Sequence, residues 1–173
     1  AGAVGQCAIQ VAKARGARVV ATVSSADKAA HARAAGADHV VDYRRENLAR
    51  RVAEITEGRG VDAIVEVNLT ANAAHYPGVL RPHGTVVVYG ITGGEATLPA
   101  LWMMQASATL RFFMVYDLTP ADREAGLAEL QQWLAAGRLR PVVACQLPLQ
   151  QAAAAHDLVE AGGQVGTVQL LIP

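Results

Sequence analysis

The chain has 173 residues, enough for one domain with a sizeable core. Apolar residues make up 52 % and charged residues 17 %, which excludes a disordered segment and suits a well-buried α/β domain. Lys+Arg and Asp+Glu are equal at 15 each, so no net field recruits nucleic acid or a membrane surface.

No run of about 18 apolar residues occurs, so no membrane span is expected. No secretory signal is visible. Cys7 and Cys145 stand far apart and follow no metal spacing. They read as two buried thiols in a reducing cytosol, which makes the protein cytoplasmic.

In chain order, apolar residues recur at helical spacing from Val4 to Ala14, and Gly16 stops that helix. Residues 17–23 read as a buried strand. Ser24 and Ser25 can cap the next helix, which runs to about Ala35. A short strand spans 39–43, an amphipathic helix 46–57 and a strand 61–67. A weak helix over 70–80 breaks near Pro77. Residues 85–89 form a strand ending in Gly90, and a helix follows near 99–106. Strand 109–116 leads to a helix over 120–136, opened by Thr119 and Pro120 as cap and first position. Strand 140–145, helix 149–161 and strand 166–172 complete the chain.

Strands that alternate with helices, each strand continuously apolar, imply a doubly wound parallel sheet of Rossmann type, covered on both faces. Residues 1–139 form the dinucleotide-binding domain. The segment 140–173 completes it and is placed to pack toward a domain outside the chain.

The opening Ala1, Gly2, Ala3, Val4, Gly5 reads as the second half of a dinucleotide-binding turn running into its helix. Glycines there let backbone N–H groups approach a pyrophosphate, and the helix N-terminus adds free donors and a favourable dipole. Gly2 gives close approach and Gly5 close packing of helix on sheet. The first strand and the first small residue of such a fingerprint should precede residue 1, so the chain is expected to lie inside a longer gene product.

An NAD site carries Asp or Glu roughly 20 residues after the glycines, to hold the ribose 2′-hydroxyl. Residues 20–26 contain no acid; Ser24 and Ser25 stand there, with Lys28 close behind. Hydroxyls and an ammonium suit a 2′-phosphate, which favours NADP. Asp27 counts mildly against this. The same serines also serve as a helix cap.

His31, His39, His75, His83 and His156 show no metal spacing, so no metal site is assigned. No nucleophile with its base can be named. Glu66 ends a strand inside the sheet, where a carboxylate needs partners; cofactor and internal hydrogen bonds are both open as those partners.

The ordered segments resemble the medium-chain dehydrogenase/reductase superfamily, and within it the zinc-free quinone oxidoreductase branch. Those segments are the glycine turn with Ala8 to Lys13, then Lys28, Gly36-Ala37, Val41 to Arg44, Gly84 to Gly90, Pro148-Leu149, Ala155-His156, Gly166 and Leu170 to Pro173. The likeness covers essentially the whole chain.

The resemblance implies hydride transfer from NADPH to a quinone or an activated enone. It implies that Lys28 and Tyr43 grip the 2′-phosphate and that Val67 and Asn68 lie along the adenosine side. Gly90 and Ile91, with Phe113, Met114 and Val115, fall near the nicotinamide. It also implies a homodimer paired through the strand around 109–116. Catalytic residues would lie upstream, in a substrate domain this chain does not contain. Two departures stand out. Asn68-Leu69 replaces a frequent glycine, and Thr167 replaces a frequent lysine after Gly166. Alternatives of the same class are a zinc alcohol dehydrogenase and an enoyl reductase domain of a synthase. A catalytically silent, crystallin-like protein is the alternative of another class.

Overall fold

The computed structural model describes residues 2–172; Ala1 of the opening motif and Pro173 of the closing pattern lie outside the described residues. The elements in order are α1 (Ala3–Ala14), β1 (Val20–Val23), α2 (Ala26–Ala34), β2 (His39–Asp42), α3 (Leu48–Thr56), β3 (Val61–Glu66) and α4 (Leu69–Asn72). A 3-10 turn (Ala73–Gly78), β4 (Leu80–Val88), α5 (Ala100–Gln105), β5 (Thr109–Phe112) and α6 (Pro120–Ala135) follow. The chain closes with β6 (Val143–Pro148), α7 (Ala152–Ala161) and β7 (Thr167–Leu171). Two compact units divide it: one runs up to Arg44 and resumes at Gly126, the other is Arg45–Ala125.

Every strand pair is parallel, as the alternation of strand and helix predicts. The strands form three ladders, β1-β2, β3-β4-β5 and β6-β7, rather than one recorded sheet.

In the first unit Val20 pairs with His39 and Val23 with Asp42. The expected strand over 17–23 starts late for a local reason. The Asp38 carboxylate takes the Val19 N–H at 2.6 Å and the Lys13 ammonium at 2.8 Å, so the chain is anchored before the ladder begins. Ile9, Val23, Ala32 and Ala37 form the core, with Val19, Ala21 and Val40 packed against them. Each fully buried aliphatic side chain contributes about 1.5–3 kcal/mol. Later in the chain, Gln10 and the backbone of Arg140 exchange two hydrogen bonds, at 3.1 and 2.7 Å, which ties the segment after Arg140 to α1.

In the second unit Leu69, Ala73, Tyr76, Leu80, Val86 and Val88 form the core beneath β3, β4 and β5. β4 begins five residues before the expected strand. Leu80 pairs with Val61, the chain loops out, and pairing resumes at Thr85 opposite Ala63. Pro82 has no N–H to give a ladder, and His83 sits at φ 58° with its N–H donated to Ala106 instead. β5 is shorter than expected. Phe112 pairs with Val88, the last residue of β4, and Phe113 donates its N–H to Val88 at 2.9 Å before the chain turns away. In β3, Val65 is 61 % exposed.

Asp62 joins the start of β3 to β4. Arg59 binds both its oxygens, at 2.7 and 2.9 Å, and Arg81 Nε binds Oδ1 at 2.6 Å. These hydrogen bonds, Arg59 first and Arg81 next, hold the Asp62 carboxyl well below the usual carboxylate range. A lowered native value stabilises the fold above the ordinary carboxylate value and fades as pH falls toward the native one. Asp62→Asn is therefore expected to cost under about 1 kcal/mol at neutral pH, because the group is exposed. In urea titrations at several pH values the gap from wild type shrinks progressively below the ordinary carboxylate range; a gap independent of pH contradicts this.

Candidate cofactor-binding site

The first unit opens with the N-terminus of α1. Gly2 is the N-cap of α1, offers no side-chain cap, and no acid stands in the first turn. The leading N–H groups of a helix have no partner within it. A Cβ built at Gly2 or Gly5 meets no described atom within 4 Å. Ala3 is half-buried and Val4 is 58 % exposed on the same turn.

The β1-β2 register brings a second group together. Val23 and Asp42 are the last pair, and Tyr43 donates its N–H to Val23 O at 3.1 Å. Ser24 and Tyr43 therefore leave the ladder side by side. Ser25, not Ser24, caps α2: its hydroxyl accepts the Lys28 N–H at 3.3 Å. Lys28 makes no ion pair among the described residues, and the Tyr43 ring is 53 % exposed. Arg44, which sequence reasoning passed over as a site residue, follows in the same turn. Its N–H is held by Asp42 Oδ1 at 3.0 Å, and its side chain is exposed. An exposed arginine beside an assigned tyrosine was the signal available.

The second unit gathers the other expected residues along the C-terminal edge of its sheet. Glu66, Val88 and Phe112 stand in register at the ends of β3, β4 and β5. Val67 and Asn68 follow Glu66, Phe113, Met114 and Val115 follow Phe112, and Gly90 and Ile91 follow Val88 after Tyr89. This edge is where open parallel sheets hold ligands. The turns are tied together: Tyr89 N–H bonds Glu66 O at 3.0 Å, Leu69 N–H bonds Gly90 O at 3.3 Å, and the Thr70 hydroxyl bonds Thr92 O at 2.7 Å. Val67, Ile91, Phe113, Met114 and Val115 all keep at least 42 % of their surface exposed, an apolar surface such as a flat ring needs. Asn68, in the place of a frequent glycine, has φ −145° and caps α4 through Oδ1, so its backbone needs no glycine.

Glu66 is the buried carboxylate of this edge, and internal hydrogen bonds are its partners. Asn68 N–H and Asn72 Nδ2 donate to Oε1 at 2.6 and 2.7 Å; the Tyr76 hydroxyl donates to Oε2 at 3.1 Å. Burial, and then the neighbouring Glu66 charge, push the Tyr76 phenol far above its ordinary range. At the opposite end of β3 and β4 a cavity of about 260 Å³ is lined by Gly58, Gly60, Gly78 and Trp102, remote from the edge just described. Cys7 and Cys145 are unpaired, and burial raises the Cys7 thiol, which makes it a poor nucleophile.

A helix with a glycine N-cap and parallel strands alternating with helices define an α/β protein of Rossmann type. The sequence profile of the zinc-binding dehydrogenase family matches residues 3–132, and the chain belongs to that family. It is 33 % identical to quinone oxidoreductase 1 of Escherichia coli, covering 100 % of this chain and 54 % of that one. It is 30 % identical to a 2-haloacrylate reductase of Burkholderia, covering 99 % and 53 %. The solved structure of the Escherichia coli quinone oxidoreductase complexed with NADPH superposes with a TM-score of 0.86 at 31 % identity, over 100 % of this chain and 55 % of that one. The chain thus spans about half the length of the curated relatives it matches. Among the described residues no three of His, Cys, Asp and Glu come together as a group that could hold a metal ion.

Proposed function

We propose that this chain is the cofactor-binding portion of an oxidoreductase that transfers hydride from NADPH to a quinone or an activated enone. The observation that carries the reading is Ser24 and Tyr43 at the ends of β1 and β2, with Lys28 in the first turn of α2, where an NAD site keeps an acid. The open N-terminus of α1 supports a pyrophosphate. When bound, the nicotinamide supplies the hydride chemistry. The chain's own residues bind and orient: α1 holds the pyrophosphate, and Ser24, Lys28 and Tyr43 hold the 2′-phosphate. Val67 and Asn68 line the adenosine side; Gly90, Ile91, Phe113, Met114 and Val115 shape an apolar surface for the ring.

The segment 140–173 completes this domain and faces the substrate domain. The protein pairs as a homodimer near β5. Its support is that β5 pairs with β4 alone among the described strands, and that Phe112, Met114 and Tyr116 are 68, 63 and 87 % exposed. The unpaired thiols suit the cytoplasm. This chain by itself is expected to bind nucleotide but turn over poorly, so a stopped-flow assay of the full-length protein, following NADPH absorbance with quinone and enone acceptors, tests the reaction. Oxidation that depends on acceptor concentration is the expected result; binding of NADPH with no acceptor-dependent oxidation favours the silent, crystallin-like alternative.

A further inference from the structure

We infer that Glu66 is a positioning residue for the nucleotide: it sets the shape of the Val67–Asn68 turn that the cofactor reading places along the adenosine side, and the inference rests on that reading. Glu66 is 4 % exposed, and no Lys, Arg or His pairs with it among the described residues. Burying a carboxylate without a cation is costly unless neutral donors replace its water, and an apolar residue would fill the same space more cheaply. All three donors come from the stretch that follows β3: the Asn68 N–H, the Asn72 amide and the Tyr76 hydroxyl. The carboxylate thus fastens residues 68–76 back onto the strand that precedes them.

The consequence falls on the turn between. With its N–H drawn inward to Oε1, Asn68 turns its side chain to cap α4, and Val67 is left 57 % exposed. The Val67 carbonyl is set against Gly90, and Leu69 N–H reaches Gly90 O. One buried acid therefore fixes the ends of two neighbouring strands on the ligand-facing edge. A turn shaped before binding costs the ligand less ordering. The adenosine body is common to NADPH and NADH, so loss of the network weakens both alike.

The test is fluorescence titration of NADPH and NADH into the purified protein and its Glu66→Leu and Glu66→Gln variants, with melting temperatures recorded alongside. Glu66→Leu is expected to raise both dissociation constants about tenfold and to leave their ratio unchanged. Glu66→Gln keeps an acceptor at Oε1 and is expected to stay within about threefold of wild type. A folded Glu66→Leu variant that binds both nucleotides as wild type overturns the inference, as does a Gln variant as impaired as Leu. Should Glu66→Leu fail to fold, Asn72→Ala removes one donor; about threefold weaker binding of both nucleotides supports the inference, and unchanged binding overturns it. Wild-type protein that binds neither nucleotide overturns the cofactor reading and this inference together, a result distinct from wild type that binds while the variants are silent.

Discussion

Gly90→Ala is expected to lower the melting temperature by roughly 6–12 °C and to abolish saturable nucleotide binding. A Cβ at Gly90 would lie 2.1 Å from the Val67 carbonyl oxygen and 3.0 Å from its carbon. Both are backbone atoms, held in place by the β3-β4 ladder and the Tyr89 to Glu66 hydrogen bond. No side chain can swing aside to make room. The chain must either pull β4 away from β3 or rotate the 89–91 turn, and overpacking of this kind costs about 3 kcal/mol. Either movement displaces the turns of Val67 and Ile91 together. Gly94→Ala, in the loop beyond, meets nothing within 4 Å and is expected to stay within about 0.5 kcal/mol of wild type. Thermal unfolding and nucleotide titration of the two variants check this; equal effects from both would show that close approach at Gly90 is not the cause.

Lys28→Ala is expected to weaken NADPH binding about 30-fold while leaving NADH binding within about twofold of wild type. The ammonium has no carboxylate partner among the described residues, so its removal leaves no buried charge behind and should not disturb the fold. A charge-assisted hydrogen bond to phosphate is worth about 2 kcal/mol. Tyr43→Phe and Ser24→Ala each remove a neutral donor and are expected to cost NADPH a few-fold. The NADPH preference should also fall as salt rises, since these groups are partly or fully exposed. Parallel titrations of both nucleotides separate this account from a structural role. A lysine that served only as a solvated surface charge would leave the ratio of the two constants unchanged.

Much of this arrangement was legible in the residues, and the rest was lost for physical reasons. Local signals carried α1 and the Ser25 cap, because caps and helical spacing are written within a few neighbouring residues. The order of strands and helices was equally plain. What local signals could not show was pairing at a distance. β4 begins at Leu80 because Val61 lies opposite, and β5 stops at Phe112 because β4 has ended. Neither limit is written in the strand's own residues. The same holds for Glu66. Its sequence position announced a carboxylate in need of partners, but Tyr76 lies ten residues away and arrives only through the fold of the intervening turn. Arg44 was passed over because a basic residue after a strand is common.

The central proposal is a bound pyridine nucleotide with a phosphate at its adenosine end. Equilibrium titration of NADPH and NADH, each into the purified protein at matched ionic strength, measures that most directly. NADPH is expected to saturate at least about tenfold more tightly than NADH, the margin of one charge-assisted contact. Equal affinity for the two, or binding of neither, would contradict it.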